Sequence, residues 1–296
     1  MPDTPPKDLI NIEEVIRSKN PRLLKFIPGF LMRFVKRILH QDEINDFIHR
    51  NGHKYSHDFV EAIIVEFGAK VTWEGLENLP EKGGCIVASN HPLGGLDGIA
   101  LLYVIAKKRK DLKFIVNDVL MNITNFDEIF VGVNKHGKNT GQTLQLIDTF
   151  YSGDIVTVIF PAGLVSRKQE DNKVRDLRWN KSFIGKAKKF EKNIIPTLIN
   201  GSNSKFFYNL ARWRRRCKIK ANIEMFFLIN EMYNQVGKNI HIKFGKPISS
   251  DKFTNDKDDA AWAQELKEYI YTLAESKEDV PFTGKIISPV TATVKN

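Results

Sequence analysis

Seven histidines occur in the chain, and one of them stands where an imidazole can do chemistry. It lies in Ser89-Asn90-His91-Pro92-Leu93-Gly94-Gly95-Leu96-Asp97-Gly98, between a short apolar run and a helical pattern. A neutral imidazole can take a proton from an attacking hydroxyl. A carboxylate beside it fixes its tautomer and stabilises the imidazolium that forms. His91 and Asp97 have the residue types for that pair, and Gly94-Gly95 lets the backbone fold back far enough for them to meet. A plainer reading makes Asp97 the N-cap of the following helix and Gly94-Gly95 a turn.

Other arrangements carry less. Cys85 sits in Cys85-Ile86-Val87-Ala88 and reads as a small core hydrophobe, not a nucleophile for His91. His49, His53 and His57 recur every four residues, but Asn51-Gly52 breaks the helical pattern between them and no carboxylate or cysteine completes a site, so no metal is expected. Lys138-Asn139-Thr140-Gly141-Gln142-Thr143 lacks the lysine of a phosphate-binding loop, and no Gly-x-Ser-x-Gly elbow occurs.

The elements around His91 set its position. Short apolar runs at Lys70–Trp73, Cys85–Ser89, Lys113–Asn117, Ile129–Val133, Ile155–Phe160, Ile194–Ile199 and Ile240–Phe244 predict strands. Ile99–Lys108, Thr140–Tyr151, Lys181–Phe190 and Ala260–Ser276 predict helices between them. The alternation predicts an α/β fold, a mixed and largely parallel sheet covered by helices. Residues 69–276 form this unit, 1–68 a helical N-terminal segment and 277–296 an extended tail. His91 follows a strand and precedes a helix, at the carboxyl edge where ligands bind in such sheets.

Two blocks then carry a resemblance. Asn90-His91 with Asp97 looks like the first block of the glycerolipid acyltransferase superfamily, which includes the lysophosphatidic acid acyltransferases. Phe160-Pro161-Ala162-Gly163-Leu164-Val165-Ser166-Arg167 resembles its third block, and Ile195-Pro196 falls where the fourth stands. The strand Ile240–Phe244 with Gly245-Lys246-Pro247-Ile248 resembles the family's carboxyl-terminal region, so the likeness spans about residues 70 to 250 in order. The resemblance implies that His91 is the general base on an acceptor hydroxyl and Asp97 its orienting partner. It also implies that acyl-carrier protein or acyl-CoA donates the acyl group without a covalent intermediate. No cofactor beyond that co-substrate is expected. The developing oxyanion needs backbone donors, which the turns at Gly94-Gly95 or Gly163 can supply.

The departures bear on the acceptor. Five residues separate His91 from Asp97 where the family usually has four, Ala162 stands where a glutamate is usual, and Lys135 stands where an arginine usually meets the acceptor phosphate. A lysine is a point charge and cannot reproduce a bidentate arginine fork. These variant blocks look like the hemolysin-like branch associated with ornithine-lipid synthesis, which implies O-acylation of a lyso-aminolipid. Arg167 and Lys168 are the candidates for holding its carboxylate, with Asn90, Gly94, Gly95, Lys135, Gly163 and Ser166 in the site. Asp176, Arg178, Trp179 and Lys181 form a further polar cluster. The alternatives are 1-acylglycerol-3-phosphate acylation and a non-enzymatic protein that binds anionic lipid or nucleic acid.

The bulk numbers fit a peripheral lipid enzyme. A net charge of +10 over 296 residues favours an anionic surface or partner. No uncharged apolar run approaches the roughly 18 residues of a membrane span. Met1-Pro2-Asp3-Thr4-Pro5-Pro6 has no apolar signal core, and two cysteines make no disulfide framework, so the expected place is the cytoplasmic face of the cell membrane. Leu23–Leu39 carries an apolar stripe (Ile27, Leu31, Phe34, Val35, Ile38) flanked by Lys25, Arg33, Lys36 and Arg37. It reads as an interfacial helix or as a helix packed on the domain. Arg212-Trp213-Arg214-Arg215-Arg216-Cys217-Lys218-Ile219-Lys220 suits phosphate, in lipid or in nucleic acid. The acyltransferase blocks favour lipid, and nucleic acid is not expected.

Overall fold

The computed structural model describes residues 10–19, 27–133, 141–274 and 281–284. Helices α1 (Ile12–Lys19), α2 (Gly29–Ile38), α3 (Gln41–Asn51) and α4 (Ser56–Glu66) lead into strand β1 (Lys70–Glu74). Then follow β2 (Cys85–Ser89), α5 (Gly95–Ala106), β3 (Leu112–Asn117), β4 (Phe130–Val133), α6 (Gly141–Ser152) and β5 (Val156–Ile159). A two-stranded hairpin, β6 (Arg167–Lys168) and β7 (Val174–Arg175), precedes α7 (Ser182–Lys189) and β8 (Asn193–Asn200). The chain continues through α8 (Lys205–Arg216), a single 3-10 turn (Ile223–Phe227), α9 (Leu228–Tyr233), β9 (Asn239–Phe244) and α10 (Asp259–Thr272).

The seven longer strands form one sheet in the order β1-β9-β8-β2-β5-β3-β4. All neighbours are parallel except β8 and β9, so β9 and β1 run against the other five. All five residues of central β2 are buried. Such a strand reads as a continuous apolar run because helices cover both of its faces. Val87 points into the layer of α4 and α5, while Ile86 and Ala88 point into that of α7 and α10. Although α4 belongs to the N-terminal helical segment, its Phe59, Val60, Ile63 and Ile64 enter the same core as Leu101, Val104 and Ile105 of α5.

All seven expected strands form, most within a residue of the anticipated ends. Two helices, α8 and α9, and the β6–β7 hairpin go beyond the expectation. The basic run that suggested a charged patch is in large part the end of α8, for arginine is a good helix former and Ser204 Oγ caps the first turn through Phe207 N–H at 3.1 Å. Helix α5 starts at Gly95, four residues before its expected start, and α10 ends at Thr272. Of the expected tail, residues 281–284 are described, and Phe282 packs edge-on to Tyr269. His49 lies in α3, His53 in the following turn and His57 in α4, with His57 Nε2 against the Lys110 carbonyl at 3.0 Å.

Parallel strands put their carboxyl ends on one edge. The segments after β2, β3, β5 and β8 therefore gather there.

Candidate active site

Asn90 ends β2 by doing with its side chain what the backbone would do next. Its amide nitrogen donates to the Ile199 carbonyl at 2.9 Å, and its amide oxygen accepts Ile199 N–H at 2.7 Å. This double bond to β8 fixes the point at which the chain leaves the sheet. His91 is then held by both backbone groups. Its N–H donates to Asp176 Oδ1 at 3.2 Å, and its carbonyl accepts Ser166 N–H at 2.7 Å.

Asp97 lies in the first turn of α5, fully buried. Its Oδ2 accepts Leu93 N–H at 2.8 Å and Gly94 N–H at 3.2 Å, and Oδ1 accepts Gly98 N–H at 2.8 Å. Both oxygens stand 3.1 Å from His91 Nδ1. A carboxylate that already receives three backbone N–H groups acts as an acceptor, so Nδ1 carries the imidazole proton and Nε2 presents its lone pair. Gly94, not Asp97, is the N-cap, which corrects the plainer reading; Asp97 is the third helical residue and closes the helix N-terminus through the Gly94 N–H while it orients His91. Gly94 makes this possible at φ +96, a region that favours glycine, and a Cβ there would stand 3.2 Å from Leu228 Cδ2.

The other face of the imidazole stacks on Phe160, with ring centroids 4.2 Å apart at 20°. Beyond it opens a cleft of about 250 Å³ whose walls include Ile63, Ile99, Phe114, Phe126, Phe130 and Met232. Gly94, Gly95, Gly98 and Gly163 line it beside His91. Gly98 leaves room for the rings, since a Cβ there would stand 3.0 Å from Phe114 and 3.5 Å from Phe160. The arrangement is a base with an orienting carboxylate at the mouth of an apolar slot.

Of the expected site residues, His91, Asp97, Gly94, Gly95 and Gly163 come together. Asn90 and Ser166 sit beneath them and are spent on holding the backbone. Lys135 lies outside the described residues. The expectation for Arg167 is corrected. Its guanidinium is 3% exposed and bonded to Glu224 Oε1 at 3.0 Å and to the Val165 carbonyl at 2.6 Å, so it fastens the block to the 3-10 turn and does not face an anion. Burying an arginine without such a partner would be costly. Lys168 is half-buried in the hairpin, where its carbonyl accepts from Arg215.

The polar cluster after the third block divides. Asp176 is buried and receives Ser166 Oγ–H at 2.5 Å and Trp179 Nε1–H at 2.8 Å, besides the His91 amide. Burial pushes its carboxyl above the usual aspartate range, against the pull of those donors. Arg178 and Lys181 are exposed. Burial likewise pushes the Cys85 thiol up to about 12, which leaves it a core residue. Sequence reasoning missed the Asp176 contact with His91 and the cleft rings Phe114, Phe126 and Phe130. Phe114 and Phe130 fall in apolar runs that read only as core, and Phe126 stands among polar residues between them.

Comparison with known proteins identifies the family. A family model described as acyltransferase matches residues 14–274. A lyso-glycine lipid O-acyltransferase of Bacteroides thetaiotaomicron is 40% identical over 266 residues, covering 90% of this chain and 97% of the relative. One of the same name from Phocaeicola vulgatus is 39% identical, covering 90% and 95%. The crystal structure of the 1-acyl-sn-glycerophosphate acyltransferase PlsC from Thermotoga maritima aligns over 90% of this chain and 94% of its own, at 15% identity and a TM-score of 0.47. With the family model spanning most of its length, the chain belongs to this acyltransferase family.

Proposed function

We propose that the protein O-acylates a membrane lyso-aminolipid of the glycine-lipid type, with an acyl thioester as donor. The observation that carries this is the His91–Asp97 pair, its carboxylate buried and its imidazole partly exposed, opening on an apolar cleft, and the two curated relatives favour the acceptor class. The acyl chain lies along Phe114, Phe126 and Phe130, so that its carbonyl reaches the mouth beside His91. Nε2 removes the acceptor hydroxyl proton as the oxygen attacks the thioester carbon. The C–S bond then breaks, and the imidazolium returns its proton to the leaving thiolate. Gly94 N–H is committed to Asp97, and Gly163 N–H to the Phe160 carbonyl at 2.9 Å. We therefore assign the oxyanion to the Gly95 amide, at the positive end of α5. The donor is acyl-carrier protein or acyl-CoA, and the protein works from the cytoplasmic face as a peripheral enzyme.

Purified protein given labelled acyl thioester and a panel of lyso-acceptors should acylate lyso-glycine lipid in preference to lysophosphatidate. His91→Ala should lower kcat by about a thousandfold with little change in melting temperature. Undiminished turnover by that variant would refute the general-base role, and a preference for lysophosphatidate would refute the acceptor.

A further inference from the structure

The proposed chemistry leaves one prominent surface unused. Helix α8 buries Phe207, Tyr208 and Ala211, and turns Phe206 and Trp213 outward, each 54% exposed. Seven residues are close to two helical turns, so both rings lie on one stripe. The following 3-10 turn adds Phe226, 43% exposed, and sets Phe227 edge-on to Phe206 with centroids 5.0 Å apart. The same segment carries Lys205, Arg212, Arg215, Arg216, Lys218 and Lys220, and no acidic residue occurs from 205 to 220. Arg212 and Arg215 each spend a nitrogen on the hairpin, on Asn172 Oδ1 at 3.0 Å and the Lys168 carbonyl at 2.9 Å. With Arg216 they line an open groove of about 540 Å³, in which Glu170 is the single carboxylate.

The patch is rigid and joined to the catalytic cleft. Fully buried Glu224 receives Arg214 Nε–H at 2.7 Å and Arg167 Nη2–H at 3.0 Å, locking the 3-10 turn to α8 and to the third block. Directly after Phe227, α9 places Leu228 against the Gly94 turn and Met232 in the cleft wall. Leu228 and Met232 stand about one helical turn apart, so α9 links the 3-10 turn to the cleft wall.

We propose that this α8 surface docks on an anionic lipid bilayer and hands the lyso-lipid to the cleft along α9. The docking rests on the patch alone, and the hand-over rests on the acyltransferase function proposed above. Rings with an apolar body suit the headgroup boundary, and each basic residue near an anionic surface adds to the attraction. Single-stranded nucleic acid fits less well, for base stacking needs open ring faces, whereas Phe206 and Phe226 each pack edge-to-face with Phe227.

The test uses the full chain and phosphatidylcholine vesicles with and without phosphatidylglycerol. One variant carries Phe206→Ser, Trp213→Ser and Phe226→Ser, and a second Arg216→Glu, Lys218→Glu and Lys220→Glu. The second changes only exposed side chains, so the test survives if the first unfolds. Wild type should sediment with the anionic vesicles, and each variant should lose at least tenfold in partition. Turnover of a short-chain acceptor dispersed as monomers should be unchanged, while KM for acceptor in vesicles rises. Unchanged partition in the charge variant, or equal wild-type partition on neutral vesicles, overturns the proposal. So does loss of oligonucleotide or acidic carrier-protein binding with vesicle binding intact. If wild type acylates nothing but the vesicle arm behaves as stated, the proposed function fails and the docking surface stands.

Discussion

Asp176 touches neither face of the imidazole, yet it meets the His91 backbone amide, Ser166 and Trp179 at once. Replacing it by asparagine keeps the shape and changes the bonding. If the amide oxygen keeps the His91 and Ser166 donors, its NH2 faces the Trp179 N–H, and a buried donor goes unpaired at a cost of about 1–3 kcal/mol. A flipped amide loses the other two bonds. Asp176→Asn should therefore melt several degrees lower, and it should reduce kcat far more than it raises KM, because His91 shifts while the acyl slot does not. The pH dependence has a definite sign. Burial holds the folded carboxyl above its unfolded value, so the folded state binds that proton more tightly. The stability it contributes is present below the unfolded value, near 4, and is lost as pH rises through the raised value. Melting temperatures of wild type and Asp176→Asn should converge as pH rises from about 4. Parallel curves would show that the carboxyl titrates alike in both states.

At the scale of elements, the wall of the slot depends on α5 having no side chain at Gly98. A valine there keeps the helix and the N–H donated to Asp97, and places methyl groups between Phe114 and Phe160. Each methylene excluded from an apolar pocket is worth about 0.8 kcal/mol, and two lost methylenes correspond to roughly tenfold in affinity. Gly98→Val should thus lower kcat/KM about tenfold for long-chain donors and much less for short ones. An equal loss at all chain lengths would place the acyl chain elsewhere. This wall shows what the sequence made legible and what it did not. The strand runs and the His91–Asp97 pair were readable because period and residue type suffice for them. The carboxyl-edge placement followed from strand-helix alternation. Gly98 and Phe114 were not readable as partners, since their approach depends on how α5 lies on β3. Arg167 looked like a free cation because its partner, Glu224, stands 57 residues away in sequence, in a turn with no periodic signal.

For the whole molecule, the question is how the cleft reaches a lipid, since no helix among the described residues is long and apolar enough to cross a bilayer. Helix α2 offers a second candidate surface besides the one proposed on α8. It packs through Met32 and Ile38 and leaves Phe30 68% and Phe34 53% exposed beside Arg33 and Arg37. The two surfaces meet on α9, where the His40 ring, two residues past α2, stacks on Tyr233 with centroids 3.9 Å apart. Charge and ring burial respond differently to salt. Raising ionic strength from about 0.15 M to 1 M shortens the screening length from about 8 Å to 3 Å, which removes most of the attraction of the +10 chain to anionic lipid. Rings sunk at the interface keep their contribution, a fraction of the 1.5–3 kcal/mol of full burial for each. Wild type should therefore retain weak vesicle binding at high salt, and Phe30→Ser with Phe34→Ser should weaken that remainder to the part the α8 rings carry while lowering low-salt partition about tenfold. If the double variant binds like wild type at both salt concentrations, α2 does not enter the bilayer and the α8 surface alone sets the orientation of the cleft.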